Sequence, residues 1–322
     1  MQPYFSIFTP VYNAEEYIPQ FIESVLSQTF QDFEIYLFDD GSEDGSADIC
    51  SKYAEMDHRI IIKTGEYVNS IDAMNAFIGF ARGKYLVFID DDDYWEKDYL
   101  ALVYRKIEDT EADCAITSYT LVDSKGTMLG WYTPSLRDGK IMDASEAKRE
   151  FLTSLNVEGF RWNKIYRKEI VQKSKERFPH TFPADILTEY KWLGLANRIV
   201  YVDTKGYFYR QSNTSEVANV DINKCMGMLS TILCLNREAV NDGLQEEALF
   251  YKTWRYCDVM YNYIVKSKLS RDVKRKLISA YSWDGVVGKS LINVLLLFRK
   301  YDSLRDNHLK FAIKSMIVWW LC

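Results

Sequence analysis

The sequence predicts an α/β protein: a mostly parallel sheet flanked by helices, with a helical extension on its C-terminal side. Three observations carry this. Short apolar runs alternate with helical periodicities over the first hundred residues, the pattern of parallel strands with helices on both faces. Three of those runs stop abruptly in polar, mostly acidic residues. Beyond about Asn219 only helical spacing remains.

In order, Phe5–Thr9 reads as a buried strand closed by Pro10. Tyr17, Phe21, Ile22, Val25 and Leu26 recur on one face of a helix. Phe33–Phe38 is the next strand and ends in "DDGSEDGS". Ile49 and Tyr53 mark a second helix, with Ser42 or Asp44 as its cap, and Ile60–Ile62 a third strand. Asp72–Ala81 reads as helix, Gly83 as its stop, and Tyr85–Ile89 as a fourth strand that runs into Asp90–Asp93.

The chain has 322 residues, 48% hydrophobic and 27% charged, which suits an ordinary globular protein of one large domain or a domain with an appended module. Aromatic residues make up 15%, and such rings serve cores as well as stacking platforms for sugars and bases. The net charge of −6 argues against a nucleic-acid binder. That charge is uneven: from Lys266 onward twelve Lys/Arg face four acidic residues, so the acidic excess lies wholly in the residues before. Six scattered cysteines without a C-x-x-C pair read as free thiols in a reducing compartment. The N-terminal stretch lacks the pattern of a signal peptide and no apolar run reaches the length of a spanning helix. The expectation is a cytoplasmic protein.

In parallel sheets ligands bind beyond the carboxyl ends of the strands. Here those ends carry Pro10–Asn13, Asp39–Ser46 and Asp90–Asp93. Taken singly, Tyr12 packs, Asp39–Ser42 makes a turn and a cap, and the aspartates form a solvated loop. Together they define a polar edge. Carboxylates this close repel one another unless a positive charge sits between them. Hard cations such as Mg²⁺ and Mn²⁺ take carboxylate oxygens together with substrate phosphates, so the edge suits a nucleotide diphosphate bridged by a metal.

At this point "SIFTPVYNAEEYIPQFIESVLSQTFQDFEIYLFDDGSEDGS", "ARGKYLVFIDDDDYW", "RWNKIYRKE" and "ADILTEYKWLGLANRIVYVDTKGYFYRQSNTS" resemble, in order and spacing, the family 2 inverting glycosyltransferases of the GT-A (Rossmann-like) fold, of the bacterial polysaccharide-biosynthesis type. The resemblance covers the first two-thirds of the chain. It implies a GT-A domain over 1–219, with a nucleotide-binding half (1–100) and an acceptor half (101–219), and a helical region over 220–322. It implies that Pro10, Tyr12 and Asp40 line the base pocket, Tyr12 stacking on the base. Asp90, Asp91 and Asp92 would form the D-x-D motif, with Asp90 near the ribose, Asp92 on a divalent metal (Mn²⁺ or Mg²⁺), and Asp93 in support. Asp185 falls on the family's catalytic base, with Glu189 as the fallback; otherwise Asp185 is only a charge at a helix start. Arg210 meets the diphosphate, or only pairs with a carboxylate, and Trp162, Asn163 and Lys164 line the acceptor side. Two positions depart from the family pattern: Ala184 stands where a glutamate precedes the base, and Met74 where an arginine is usual.

The resemblance lapses after about Asn219, where 221–241, 244–266, 270–281, 285–299 and 307–321 read as helices. "GVVGKS" is not a phosphate loop, because Trp283 stands where Walker A needs glycine. The basic, apolar tail docks on an anionic membrane face or forms a bundle or homodimer contact. The membrane reading makes the protein peripheral on the inner face of the cell membrane.

The expected function is an inverting, metal-dependent glycosyltransferase of hexosyl or N-acetylhexosaminyl type. It would move sugar from a nucleotide sugar, UDP-linked above others, to a glycan or lipid-linked glycan such as a capsule precursor. The alternatives are a degenerate nucleotide-binding scaffold and, further off, a sugar nucleotidyltransferase, disfavoured because no Gly-rich basic loop follows the first strand.

Overall fold

The computed structural model describes residues 2–259 apart from 65–66, 133, 135, 154–155 and 212–220, together with 270 and 272. Its first half follows the alternation in the sequence: β1 (Phe5–Val11), α1 (Ile18–Leu26), β2 (Phe33–Asp39), α2 (Ser46–Met56), β3 (Ile60–Thr64), α3 (Ser70–Phe80) and β4 (Tyr85–Phe88). These four strands lie side by side in the order β3-β2-β1-β4, all parallel. Strands covered on both faces read as continuous apolar runs. Thus Phe5, Ile7 and Val11 pack with Phe21, Ile22 and Val25 of α1, while Phe8 and Tyr36 meet Phe77 of α3.

Two sequence expectations need correction here. Pro10 does not close β1 but lies inside it, opposite Phe38. Pairing with β4 ends at Phe8, so the N–H that proline lacks has no strand to bond on that side. Gly83 is more than a helix stop: a Cβ there would collide with the backbone of Phe5 and Ser6, and its N–H donates to Ser6 Oγ at 2.7 Å. Ser6 Oγ in turn donates to the buried carboxylate of Glu34, which Arg82 also holds.

The second half adds β5 (Tyr94–Trp95), α4 (Tyr99–Thr110), β6 (Cys114–Thr117), β7 (Tyr119–Val122), β8 (Met128–Tyr132), β9 (Ile141–Met142), α5 (Ala144–Thr153), β10 (Lys164–Arg167), α6 (Lys168–Lys173), α7 (Ile186–Leu193), β11 (Ile199–Val202) and β12 (Tyr207–Arg210). The main sheet runs β3-β2-β1-β4-β10-β6-β11-β9, and β10 sits antiparallel between β4 and β6. A smaller sheet runs β5-β12-β7-β8. This mixed sheet flanked by helices is the expected GT-A architecture.

Two compact units emerge. The first holds the described residues of 2–147, 159–179 and 188–211, hence both sheets. The second holds the described residues of 148–158, 180–187 and those after 220. Within it, α8 (Ile222–Asn241) starts at Asp221, whose side chain caps Lys224 N at 2.8 Å, as the periodicity predicts. Next comes α9 (Gln245–Asp258). Lys148 pairs with Asp242 at 2.8 Å and Arg149 with Glu247 at 3.1 Å. The expected helices at 270–281, 285–299 and 307–321, and with them the docking tail, lie outside the described residues. Among the described residues no helix is long and apolar enough to cross a membrane, and the buried Cys50 and Cys114 carry free thiols.

Candidate active site

Three loops leave the C-terminal ends of β2, β1 and β4, which are adjacent and parallel. After Pro10 the chain turns at Asn13, whose φ of 49° lies in the left-handed region that Asn tolerates. The turn is tied to the β2 loop by paired bonds. Asn13 N donates to Ser42 Oγ at 3.0 Å, Glu43 N to Asn13 Oδ1 at 2.8 Å, Ala14 N to Ser46 Oγ at 2.8 Å, and Gly45 N to Glu15 Oε2 at 2.8 Å. Ser42 therefore does not cap α2. Asp44 accepts from Ser46 N at the first helical residue.

Tyr12 follows from this turn with its residue 60% exposed, while its backbone N–H donates to Asp91 Oδ2 at 3.0 Å. Asp40 accepts from Ser70 N at 3.0 Å, so its carboxylate sits at the positive end of α3, whose cap is Asn69. Pro10, Tyr12, Asp40 and Asp91 are thus brought to one edge.

The four aspartates do not share one environment. Asp93 is 1% exposed and turns inward, accepting from Tyr207 Oη at 2.6 Å and Arg210 N at 2.8 Å. Burial, then the neighbouring Asp92 and Asp90, push its carboxyl well above the usual range. Burial raises Asp91 to about 7, against the Tyr12 N–H bond and with the help of Asp92 and Asp90. Asp92 is raised to about 6, first by burial and then by Asp90. Asp90 forms a short ion pair with Arg161. The fold thus separates the four carboxyls: one is buried among donors, one is paired with a cation, and two are raised chiefly by burial.

Those two carboxyls bear on the metal that the resemblance implies. Carboxyls raised chiefly by burial, and then by neighbouring acids, are stabilised in their charged form by a hard divalent cation, and Mg²⁺-type sites need only one or two carboxylates beside substrate phosphates. The residue that would hold such a cation is Asp92, with Asp91 beside it.

Arg210 is placed differently from its expected role at the diphosphate. It is 4% exposed, and its guanidinium is spent on protein oxygens: Asp92 O at 2.7 Å, Ser124 O at 2.9 Å, Asp123 O at 3.3 Å and Gln20 Oε1 at 2.7 Å. It also lies over the Tyr17 ring, 4.6 Å from the centroid. It fastens the acidic loop to α1 and to the β7–β8 turn.

Trp162, Asn163 and Lys164 are likewise interior, at 2%, 2% and 0% exposure. Trp162 stacks on Tyr207 and Tyr209 at 4.8 and 4.5 Å. Asn163 donates to Thr117 O. Lys164 donates to Phe160 O and Asn163 Oδ1, with the Glu189 carboxylate 4.0 Å away. They build the wall behind the edge and present no face to an acceptor. Glu189, the fallback base, is fully buried and accepts from Tyr166 Oη at 2.7 Å, which commits it to the interior. Asp185 is half-buried in the second unit, directly ahead of α7. Met74 is 3% exposed on the packed face of α3 and supplies no charge to the edge.

The residues that sequence reasoning missed are Arg161, Tyr207 and Gln20, each a partner of the acidic loop or of its clamp. Arg161 opens the motif "RWNK", so a signal was there; the two tyrosine and glutamine partners carry none.

Comparison with known proteins agrees with this architecture. The model of the family "Glycosyl transferase family 2" matches residues 6–178, more than half of the chain. The chain belongs to that family. It is 28% identical over 212 residues to the glycosyltransferase GlyA of Streptococcus pneumoniae, covering 64% of this chain and 30% of that protein. It is 32% identical over 219 residues to EpsH of Bacillus subtilis, covering 65% of this chain and 61% of that protein. The chain thus spans less than two thirds of either relative. Among solved structures, S. aureus TarS 1–349 in complex with UDP-GlcNAc superposes with a TM-score of 0.67 at 21% identity, over 98% of this chain and 89% of that one. At that identity the likeness is one of fold.

Proposed function

We propose that this chain is an inverting glycosyltransferase that moves a hexosyl or N-acetylhexosaminyl group from a nucleotide sugar, a UDP sugar above others, to a hydroxyl of a glycan or lipid-linked glycan. The observation that carries the reading is the meeting of Tyr12, Asp40 and Asp90–Asp92 at the ends of three neighbouring parallel strands, with Tyr12 N bonded to Asp91. That is where such sheets take ligands. The names of GlyA and the UDP-GlcNAc complex of TarS support the same chemistry.

In this reading the exposed Tyr12 ring stacks on the base beside Pro10, and Asp40 bonds its polar edge. Asp90 lies toward the ribose. A divalent cation, Mn²⁺ or Mg²⁺, held by Asp92 with Asp91 beside it, supplies neutralisation of the diphosphate when bound. Asp185 takes the proton of the acceptor hydroxyl. The acceptor oxygen then forms its bond to the anomeric carbon as the bond from that carbon to the phosphate oxygen breaks. The bonding pair leaves with the diphosphate, and the configuration inverts. Arg210 acts behind the site by holding the backbone of the acidic loop.

Thermal unfolding of the chain against UDP, GDP, CDP and dTDP, each with and without Mn²⁺, tests the donor site. A ligand that binds only the native state stabilises it by ~2.7 kcal/mol at about 100 times its dissociation constant. A metal-dependent shift with one nucleotide is expected. No shift with any of the four would overturn the donor site, whereas a shift without sugar transfer would favour the nucleotide-binding scaffold.

A further inference from the structure

Four consecutive aspartates at a strand end ought to capture a divalent cation unaided. Yet among the described residues no group of three or more acidic, His or Cys side chains is arranged to hold one. Three of the four carboxyls have partners within the protein. Asp93 is turned to Tyr207 and the Arg210 backbone. Asp91 takes the Tyr12 N–H. Asp90 is held by the Arg161 guanidinium, in a pair whose side chains are 19% and 27% exposed. Asp92 differs from these three: the Arg210 guanidinium bonds its backbone carbonyl rather than its carboxylate.

Arg161 is therefore a positive charge placed on a carboxylate of the acidic edge, brought there by the segment ahead of β10, 71 positions from its partner, whereas the Arg210 guanidinium is bonded to backbone and Gln20 oxygens. A lone divalent cation approaching Asp92 meets Arg161 as a like charge and finds Asp90 already taken. A cation arriving with a diphosphate does not, because the phosphate oxygens offer the guanidinium a second anionic partner of matching fork geometry.

We propose that Arg161 is a selectivity residue of the donor site: it withholds Asp90 from a divalent cation that arrives alone, and turns to the diphosphate when cation and nucleotide arrive together. The proposal rests on the donor-site reading above. It makes binding of the metal conditional on the nucleotide, and it predicts effects of opposite sign on two ligands from one substitution.

The test is the binding of Mn²⁺ alone, by electron paramagnetic resonance, and of UDP, GDP, CDP and dTDP with Mn²⁺, by calorimetry, to the full chain and to Arg161→Gln. Losing a nearby like charge and freeing Asp90 should tighten Mn²⁺ alone by about tenfold, while the nucleotide that binds the wild type weakens by about tenfold. Arg161→Lys, which keeps the charge, should hold Mn²⁺ near its wild-type affinity. The double variant Arg161→Gln/Asp90→Asn should lose the gain in Mn²⁺ affinity. A merely structural role would weaken both ligands together. Mn²⁺ affinity that falls or stays unchanged in Arg161→Gln overturns the proposal. A wild type that binds none of the four nucleotides overturns the donor reading instead, and the Mn²⁺ arm still decides the role of Arg161.

Discussion

Replacing Arg210 by alanine separates two roles for this side chain, a diphosphate ligand or a clamp behind the site. Three of its bonds are short, to Asp92 O at 2.7 Å, Ser124 O at 2.9 Å and Gln20 Oε1 at 2.7 Å. Charge-assisted bonds of this kind contribute about 1.5–3 kcal/mol each. The sum overstates the loss, because Ser124 and Gln20 are exposed and regain water once the guanidinium is gone. The bond to Asp92 O and the contact with Tyr17 are not recovered. We expect a loss of about 3 kcal/mol, which moves a urea midpoint down by about 1 M. Amide exchange should quicken over 90–94 and 123–127, the two segments the guanidinium ties together. Arg210→Lys should recover little, since an ammonium cannot span three acceptors. An alanine variant that unfolds at the wild-type midpoint but no longer binds nucleotide would refute the clamp and restore the role expected from the sequence.

Three further outcomes are expected. Asp185→Asn should abolish sugar transfer while leaving nucleotide binding within about twofold, since the amide cannot take the acceptor proton; transfer that survives removes Asp185 as the base. Tyr12→Ala should weaken nucleotide binding by about tenfold without lowering the melting temperature, because the ring is largely exposed and contributes stacking to the ligand rather than packing. Asp91 and Asp92 are raised to about 7 and about 6, so the unliganded native state holds more protons than the unfolded chain between about pH 4 and pH 7. Stability of the unliganded protein should therefore fall as pH rises through that window. Affinity for Mn²⁺ with nucleotide should rise through it, with protons released on binding. Calorimetry in two buffers of different ionisation enthalpy reads that release, and proton uptake would contradict the assignment.

Much of this was written locally. Strands β1 to β4 are continuous apolar runs because both faces are covered, and the polar residues that follow each run mark the ligand edge directly. Tyr12, Asp40 and Asp90–Asp92 were legible for that reason. The partners were not. Arg161 is 71 positions from Asp90, Tyr207 is 114 from Asp93 and Gln20 is 190 from Arg210, and no periodicity connects them. The small sheet was equally silent, since β5 has two residues and gains its neighbour β12 from beyond residue 206. Trp162–Lys164 were expected on the acceptor side from the family resemblance alone. They are interior because β10 enters the main sheet between β4 and β6, and a lysine there is tolerated only with Glu189 and two oxygens around it.

The way the two units share the chain bears on how the protein can be cut. A truncation near residue 213 looks like the removal of a tail, with both sheets retained. It would instead delete α8 and α9, with which the described residues of 148–158 and 180–187 form one compact unit. Lys148 and Arg149 would lose Asp242 and Glu247, and the backbone at Phe182 would lose the helix whose Gly227 lies against it. Asp185 sits three residues further along that stretch. A shortened chain would keep the whole acidic edge and forfeit the support beneath its proposed base, so its silence in an assay would report the position of the cut rather than the chemistry of the site.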